Sequence, residues 1–81
     1  MRRYEVQSTN IQSVGYDMPS HTLEIQFHSG GLYHYYQVPD WIFSSLLKSG
    51  SKGRFFHRVI RNRFEYRKVD EWGGEGGGAG I

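Results

Sequence analysis

Thr22-Leu23-Glu24-Ile25-Gln26-Phe27-His28, then Ser29-Gly30-Gly31, then Leu32-Tyr33-His34-Tyr35-Tyr36-Gln37-Val38 is the stretch on which the fold turns. Its first seven residues alternate, with Leu23, Ile25 and Phe27 on one side and Thr22, Glu24, Gln26 and His28 on the other, the period of a half-buried strand. Glycines that accept positive φ reverse the chain, so the next seven residues return antiparallel to the first. The turn length decides which aromatics are buried. With Ser29, Gly30 and Gly31 as a three-residue loop, Tyr33 faces Phe27 and Tyr35 faces Ile25, both tyrosines join the core side, and His34 points outward. With Ser29 and Gly30 alone, every side chain flips: Leu32 meets Phe27 and His34 lies buried beside Ile25. A buried His34 needs a hydrogen-bond partner, which favours the first register and leaves Leu32 and Tyr36 partly exposed.

Before the hairpin, Ile11-Gln12-Ser13-Val14-Gly15-Tyr16 has strand composition with imperfect alternation, and Gly15 marks a bulge or a close approach. Asp17-Met18-Pro19-Ser20 is turn chemistry. Residues 1–8 lack periodicity and read as a flexible lead-in. After the hairpin, Pro39 and Asp40 start a helix whose Ile42, Phe43, Leu46 and Leu47 form an apolar stripe. Ser49-Gly50 breaks it, and Ser51 is placed to cap a second helix carrying Phe55, Phe56, Val59 and Ile60, which Asn62 closes in a left-handed conformation. Phe64 to Val69 alternates again and suits a short edge strand or an extended arm. Residues 71–81, six of them glycine, are expected to be disordered. The expectation is one α+β domain over residues 9–70: a small three-stranded antiparallel meander packed against two short helices, with a short C-terminal edge strand possible. With no cysteine to staple it, the 16% aromatic content must supply much of the core.

Charge is segregated. Residues 4–47 contain Glu5, Asp17, Glu24 and Asp40 with no lysine or arginine, whereas Lys48 to Lys68 holds eight cations against Glu65 alone. Arg54, Arg58 and Arg61 recur at i, i+4 and i+7 and share a face of an ideal α-helix, while Arg63, Arg67 and Lys68 lie beyond its end. Such a field suits phosphates or an acidic surface, or is simply a solvated helix face. No apolar run approaches a membrane span, and Met1-Arg2-Arg3-Tyr4-Glu5 leads into no apolar signal segment. A cytoplasmic monomer without membrane contact is expected.

Catalysis has little to stand on. His21, His28, His34 and His57 lack metal-ligand spacing, no cysteine nucleophile exists, and no serine sits in a strand-to-helix elbow. No cofactor, metal or enzymatic activity is expected. Tyr33 and Tyr35, two residues apart on a strand, present one face for stacking bases or fill the gap between sheet and helices with their hydroxyls at the rim. In the second case Tyr36, His34 and His28 on the other face become the stacking candidates. Backbone N–H groups beside Lys52 and Arg54 form either a phosphate site or a capped helix start.

Several motifs in order then carry a resemblance over residues 8–69: Ser13-Val14-Gly15-Tyr16, Leu23 to Phe27, Ser29-Gly30-Gly31, Tyr33-His34-Tyr35 with Val38-Pro39, Ser51-Lys52-Gly53-Arg54-Phe55-Phe56, and Ile60-Arg61. Together they resemble the KTSC domain, named for the C-terminal extension of some lysyl-tRNA synthetases, whose central Y-x-Y matches Tyr33 and Tyr35. Asn62 stands where similar sequences suggest glycine. The resemblance implies a short domain, often free-standing in bacteria and their phages, with a suggested RNA-binding role. The expected function is therefore a module binding tRNA or another structured RNA. Lys52, Arg54, Arg58, Arg61, Arg63 and Arg67 would hold phosphates, with Tyr36 and His34 also at the nucleic acid. The alternative is an adaptor that docks an acidic protein on the same basic face.

Overall fold

The structure, a computed structural model, describes residues 2–69; the Gly-rich tail expected at 71–81 lies outside them. Five strands, β1 Arg2–Glu5, β2 Ile11–Asp17, β3 Thr22–Phe27, β4 Leu32–Tyr35 and β5 Tyr66–Val69, form one antiparallel meander in chain order. Helix α1, Asp40–Lys48, and helix α2, Lys52–Phe55, connect β4 to β5, and α2 runs on as a π-helical turn over Phe56–Ile60. The architecture is α+β as expected. The three-stranded meander is corrected to five strands, because both edges carry a further strand. One is the C-terminal strand foreseen in part; the other is β1, in the segment read as a lead-in.

Both helices pack on one face of the sheet. Val14, Tyr16, Leu23, Ile25 and Tyr35 meet Ile42, Leu46, Phe56 and Ile60 in a single core. Ile11 and Val14 both point inward although three residues apart, because the β2–β3 register shifts between Ile11 and Ser13. That bulge explains the imperfect alternation, and it falls at Gln12 rather than Gly15.

The β3–β4 hairpin uses a three-residue loop displaced by one position, His28-Ser29-Gly30. Gly30 N–H donates to Phe27 O and Phe27 N–H to Gly31 O, each at 2.9 Å, and Gly30 takes φ 108°. Tyr33 therefore pairs with Ile25 and Tyr35 with Leu23, a two-residue shift from the expected partners. A shift of two preserves faces, so the tyrosines lie on the helix side and His34 on the other. Leu32, expected to be partly exposed, is buried between its ladder neighbours Gln26 and Val69, since β5 extends the sheet past it.

On the face without helices, the buried Glu24 carboxylate accepts from Arg3 Nε at 3.3 Å and Nη2 at 2.9 Å, and His34 Nε2 stands 3.6 Å away. Arg3 and Glu24 flank Gly15 in the ladder, and glycine leaves the space between them clear. This pair ties β1 to β3 across β2. On the helix face the Tyr16 hydroxyl donates to Val38 O, so His21 Nδ1, at 3.0 Å, must be the donor to it, which fixes that ring's tautomer. Burial, then the nearby Asp40 charge, raises the Tyr16 pKa.

Candidate nucleic-acid interface

A groove of about 910 Å³ opens between the tip of the β3–β4 hairpin, the helix-side face of β4–β5, and α2 with its π turn. The helices cover the sheet only as far as β4. Beyond them Tyr66 is 58% exposed, whereas Tyr35 beside it is 4% exposed and Tyr33 is half-buried. The three rings touch: Tyr33 and Tyr35 lie nearly parallel with centroids 6.4 Å apart, and Tyr66 stands 5.9 Å from Tyr33 and 5.5 Å from Tyr35. Phe27 meets Tyr33 edge-on at 5.6 Å, and Phe56 meets Tyr35 edge-on at 5.5 Å, closing the platform from below. Gly31 makes room for it, since a Cβ there would come within 2.9 Å of the Tyr33 ring.

Two cations and a histidine stand around these rings. Lys68 is the ladder partner of Tyr33 and therefore shares its face, and Arg61 and His57 line the groove from the helix side. The π turn is what brings Arg61 there. Its N–H bonds to Phe56 O at 2.9 Å, an i to i+5 closure, so Arg61 falls below the buried Phe56 instead of continuing the α-helical stripe begun by Arg54 and Arg58. Arg61 Nη1 donates to His57 Nδ1 at 3.2 Å. A guanidinium can only donate, so the His57 proton in this arrangement is on Nε2.

The residues singled out from the sequence are thus divided. Arg61 lines the tyrosine groove. Lys52 and Arg54 line a smaller adjacent cavity, where Lys52 Nζ donates to Ser49 O at 2.8 Å. Arg58 and Arg63 are exposed outside both. Arg67 pairs with His34 in the ladder, so both occupy the opposite face of the sheet, where Tyr36 meets the His34 ring edge-on at 6.5 Å. The expected single basic face is broken twice, by the π turn and by the alternation of β5. Ser51 occupies the start of α2 without a side-chain cap bond, and the chain leaves the π turn through an Arg63 N–H to Ile60 O bond, with Asn62 outside the left-handed region.

Tyr66, Lys68, His57 and Asn10 are among the groove residues that the sequence reading does not assign to a site. Alternation of Tyr66 and Lys68 was the available signal, and it acquires a direction only once β5 is known to pair with β4. Among the described residues no group of three or more His, Cys, Asp or Glu stands close enough to hold a metal ion, and no helix is long and apolar enough to cross a membrane.

Comparison with known proteins fits this architecture. The KTSC domain profile matches residues 7–64. A protein of Stutzerimonas stutzeri strain A1501 is 38% identical over 71 residues, covering 86% of this chain and all of its own length. A lysine–tRNA ligase of Nostoc sp. strain PCC 7120 is 34% identical over 59 residues, which cover 73% of this chain but 10% of the ligase. The crystal structure of a KTSC domain protein from Yersinia pestis superposes with a TM-score of 0.82 at 43% identity, covering 84% of this chain and 96% of that one. Both edge strands fall outside the profile match, so Tyr66 and Lys68 add to the groove from beyond it. The chain belongs to the KTSC domain family.

Proposed function

We propose that the protein is an RNA-binding module, not a catalyst, and that its contact surface is the tyrosine groove. The observation that carries this reading is the exposed Tyr66 ring, continuous with Tyr33 and Tyr35 and flanked by Lys68, Arg61 and His57. Aromatic faces on a sheet stack bases, and cations around them hold the phosphates that follow. A tRNA-related role draws support from the lysine–tRNA ligases, in which a segment similar to this chain accompanies an enzyme that acts on tRNA. An acidic protein partner would engage the same cations and leave the aromatic platform unused.

Fluorescence anisotropy with labelled tRNA tests the reading. Wild type is expected to bind, and Tyr66→Ala to lose about fivefold or more, since base stacking on an aromatic is worth about 1–3 kcal/mol. Tyr66 is 58% exposed but its ring packs on Tyr33 and Tyr35, so its removal is expected to lower the thermal midpoint modestly without unfolding the domain, as circular dichroism would check. No binding by wild type, or equal binding by the variant, would contradict the proposal.

A further inference from the structure

Two cavities meet at the start of α2. The tyrosine groove and the smaller cavity, about 530 Å³, share Thr9, Asn10, Gly53 and His57 in their walls. Gly53 sits at their junction, where a Cβ would come within 3.3 Å of Asn10 Nδ2. Any larger side chain at 53 would narrow the passage. A continuous trough therefore runs from the hairpin tip and Tyr66, past Gly53, to Lys52 and Arg54.

Its chemistry changes along its length. The Tyr66 end offers ring faces with Lys68 and Arg61 beside them. In the middle, His57 Nδ1 is occupied by Arg61, and the Asn10 side chain supplies an amide donor and acceptor. At the far end Lys52 spends one of its ammonium donors on Ser49 O and keeps the others, and Arg54 lies next to it. The remaining cations of the Lys48–Lys68 stretch lie elsewhere: Arg67 is on the opposite sheet face, and Lys48, Arg58 and Arg63 line neither cavity.

We infer that this trough is a track for unpaired RNA of about two or three nucleotides, with a base stacked on Tyr66 and Tyr33 and the following phosphates at Lys52 and Arg54. The inference rests on the RNA reading of the groove and adds the state of the strand. A base inside a duplex is covered on both faces by its neighbours, so it has no face to offer a tyrosine ring. A-form duplexes are instead read across their backbones by dispersed phosphate contacts. Here the cations that would extend such a surface lie on different sides of the molecule, while those in the trough follow one path.

The test uses the full chain, fluorescein-labelled oligo(U) and oligo(A) RNA, and the same strands annealed to their complements. Single strands are expected to bind, and annealing to weaken binding about tenfold or more. Arg54→Ala, an exposed position with no structural bond to lose, is expected to weaken single-strand binding severalfold, and Gly53→Val to do the same with folding checked by circular dichroism. Duplex binding as tight as single-strand binding, with Tyr66→Ala impairing both, overturns the inference and leaves the RNA reading standing. Loss on Tyr66→Ala without loss on Arg54→Ala overturns the track beyond the tyrosine groove. Failure of every RNA to bind overturns both readings.

Discussion

Tyr35 shows how one residue serves both the core and the groove. Its phenol is pushed up to about 12, first by burial, then by Tyr33 and Tyr66, with Arg61 acting in the opposite direction. The native state thus holds this proton more tightly than the unfolded chain, where the pKa is near the ordinary 10.0. Stability from this source is present in full below pH 10 and is lost as pH rises from 10 toward 12. Urea denaturation followed by circular dichroism is expected to show that decline, and Tyr35→Phe to reduce it, with the raised Tyr16 contributing the residue of the effect. An identical decline in the variant would locate the titration elsewhere. At this scale much was legible: in the register that the cost of burying an unpartnered His34 favours, the alternation around Ile25 and Tyr35 puts both tyrosines on the core side, as observed. The pairing partners were not legible, because moving the loop from Ser29-Gly30-Gly31 to His28-Ser29-Gly30 changes them by two and leaves every face the same.

Among the elements, α2 and the two edge strands depart furthest from the sequence reading. Helical phasing put Arg54, Arg58 and Arg61 on one stripe; an i to i+5 closure at Phe56 removes Arg61 from it, and no feature of the residue pattern announces a π turn. The distinction is measurable. Arg61→Ala is expected to weaken RNA binding severalfold and to lower the salt slope by about one, whereas Arg58→Ala is expected to leave affinity within about twofold. Equal losses would restore the unbroken stripe. The β1 strand was illegible for a different reason. All four of its residues are exposed, so it has no buried face to impose alternation, and it is held by its ladder to β2 and by the Arg3–Glu24 pair, contacts that the local residue pattern does not announce. The β5 strand was legible as an alternating segment but not as a neighbour of β4. The candidate site depended on that missing step, because β4–β5 pairing sends Tyr66 and Lys68 into the groove and Arg67 to the opposite face.

For the whole molecule, the formal net charge of +2 says less than where the cations are. A single basic face would grip a duplex backbone; the fold instead sends Arg61 and Lys68 toward the tyrosines, Lys52 and Arg54 toward the adjoining cavity, and Arg67 behind the sheet. That division makes the two faces of the sheet rival sites, one with Tyr33, Tyr66, Lys68 and Arg61, the other with His34, Tyr36 and Arg67. Amide chemical-shift mapping during titration with a short single-stranded RNA discriminates between them in one experiment. The expected result is shift changes at Gly31–Tyr35, Gly53–His57, Arg61 and Tyr66–Lys68, with side-chain signals of Tyr66 moving and those of Tyr36 and His34 unchanged. Shifts centred on the His34, Tyr36 and Arg67 side chains, or no shifts at saturating RNA, would contradict the account.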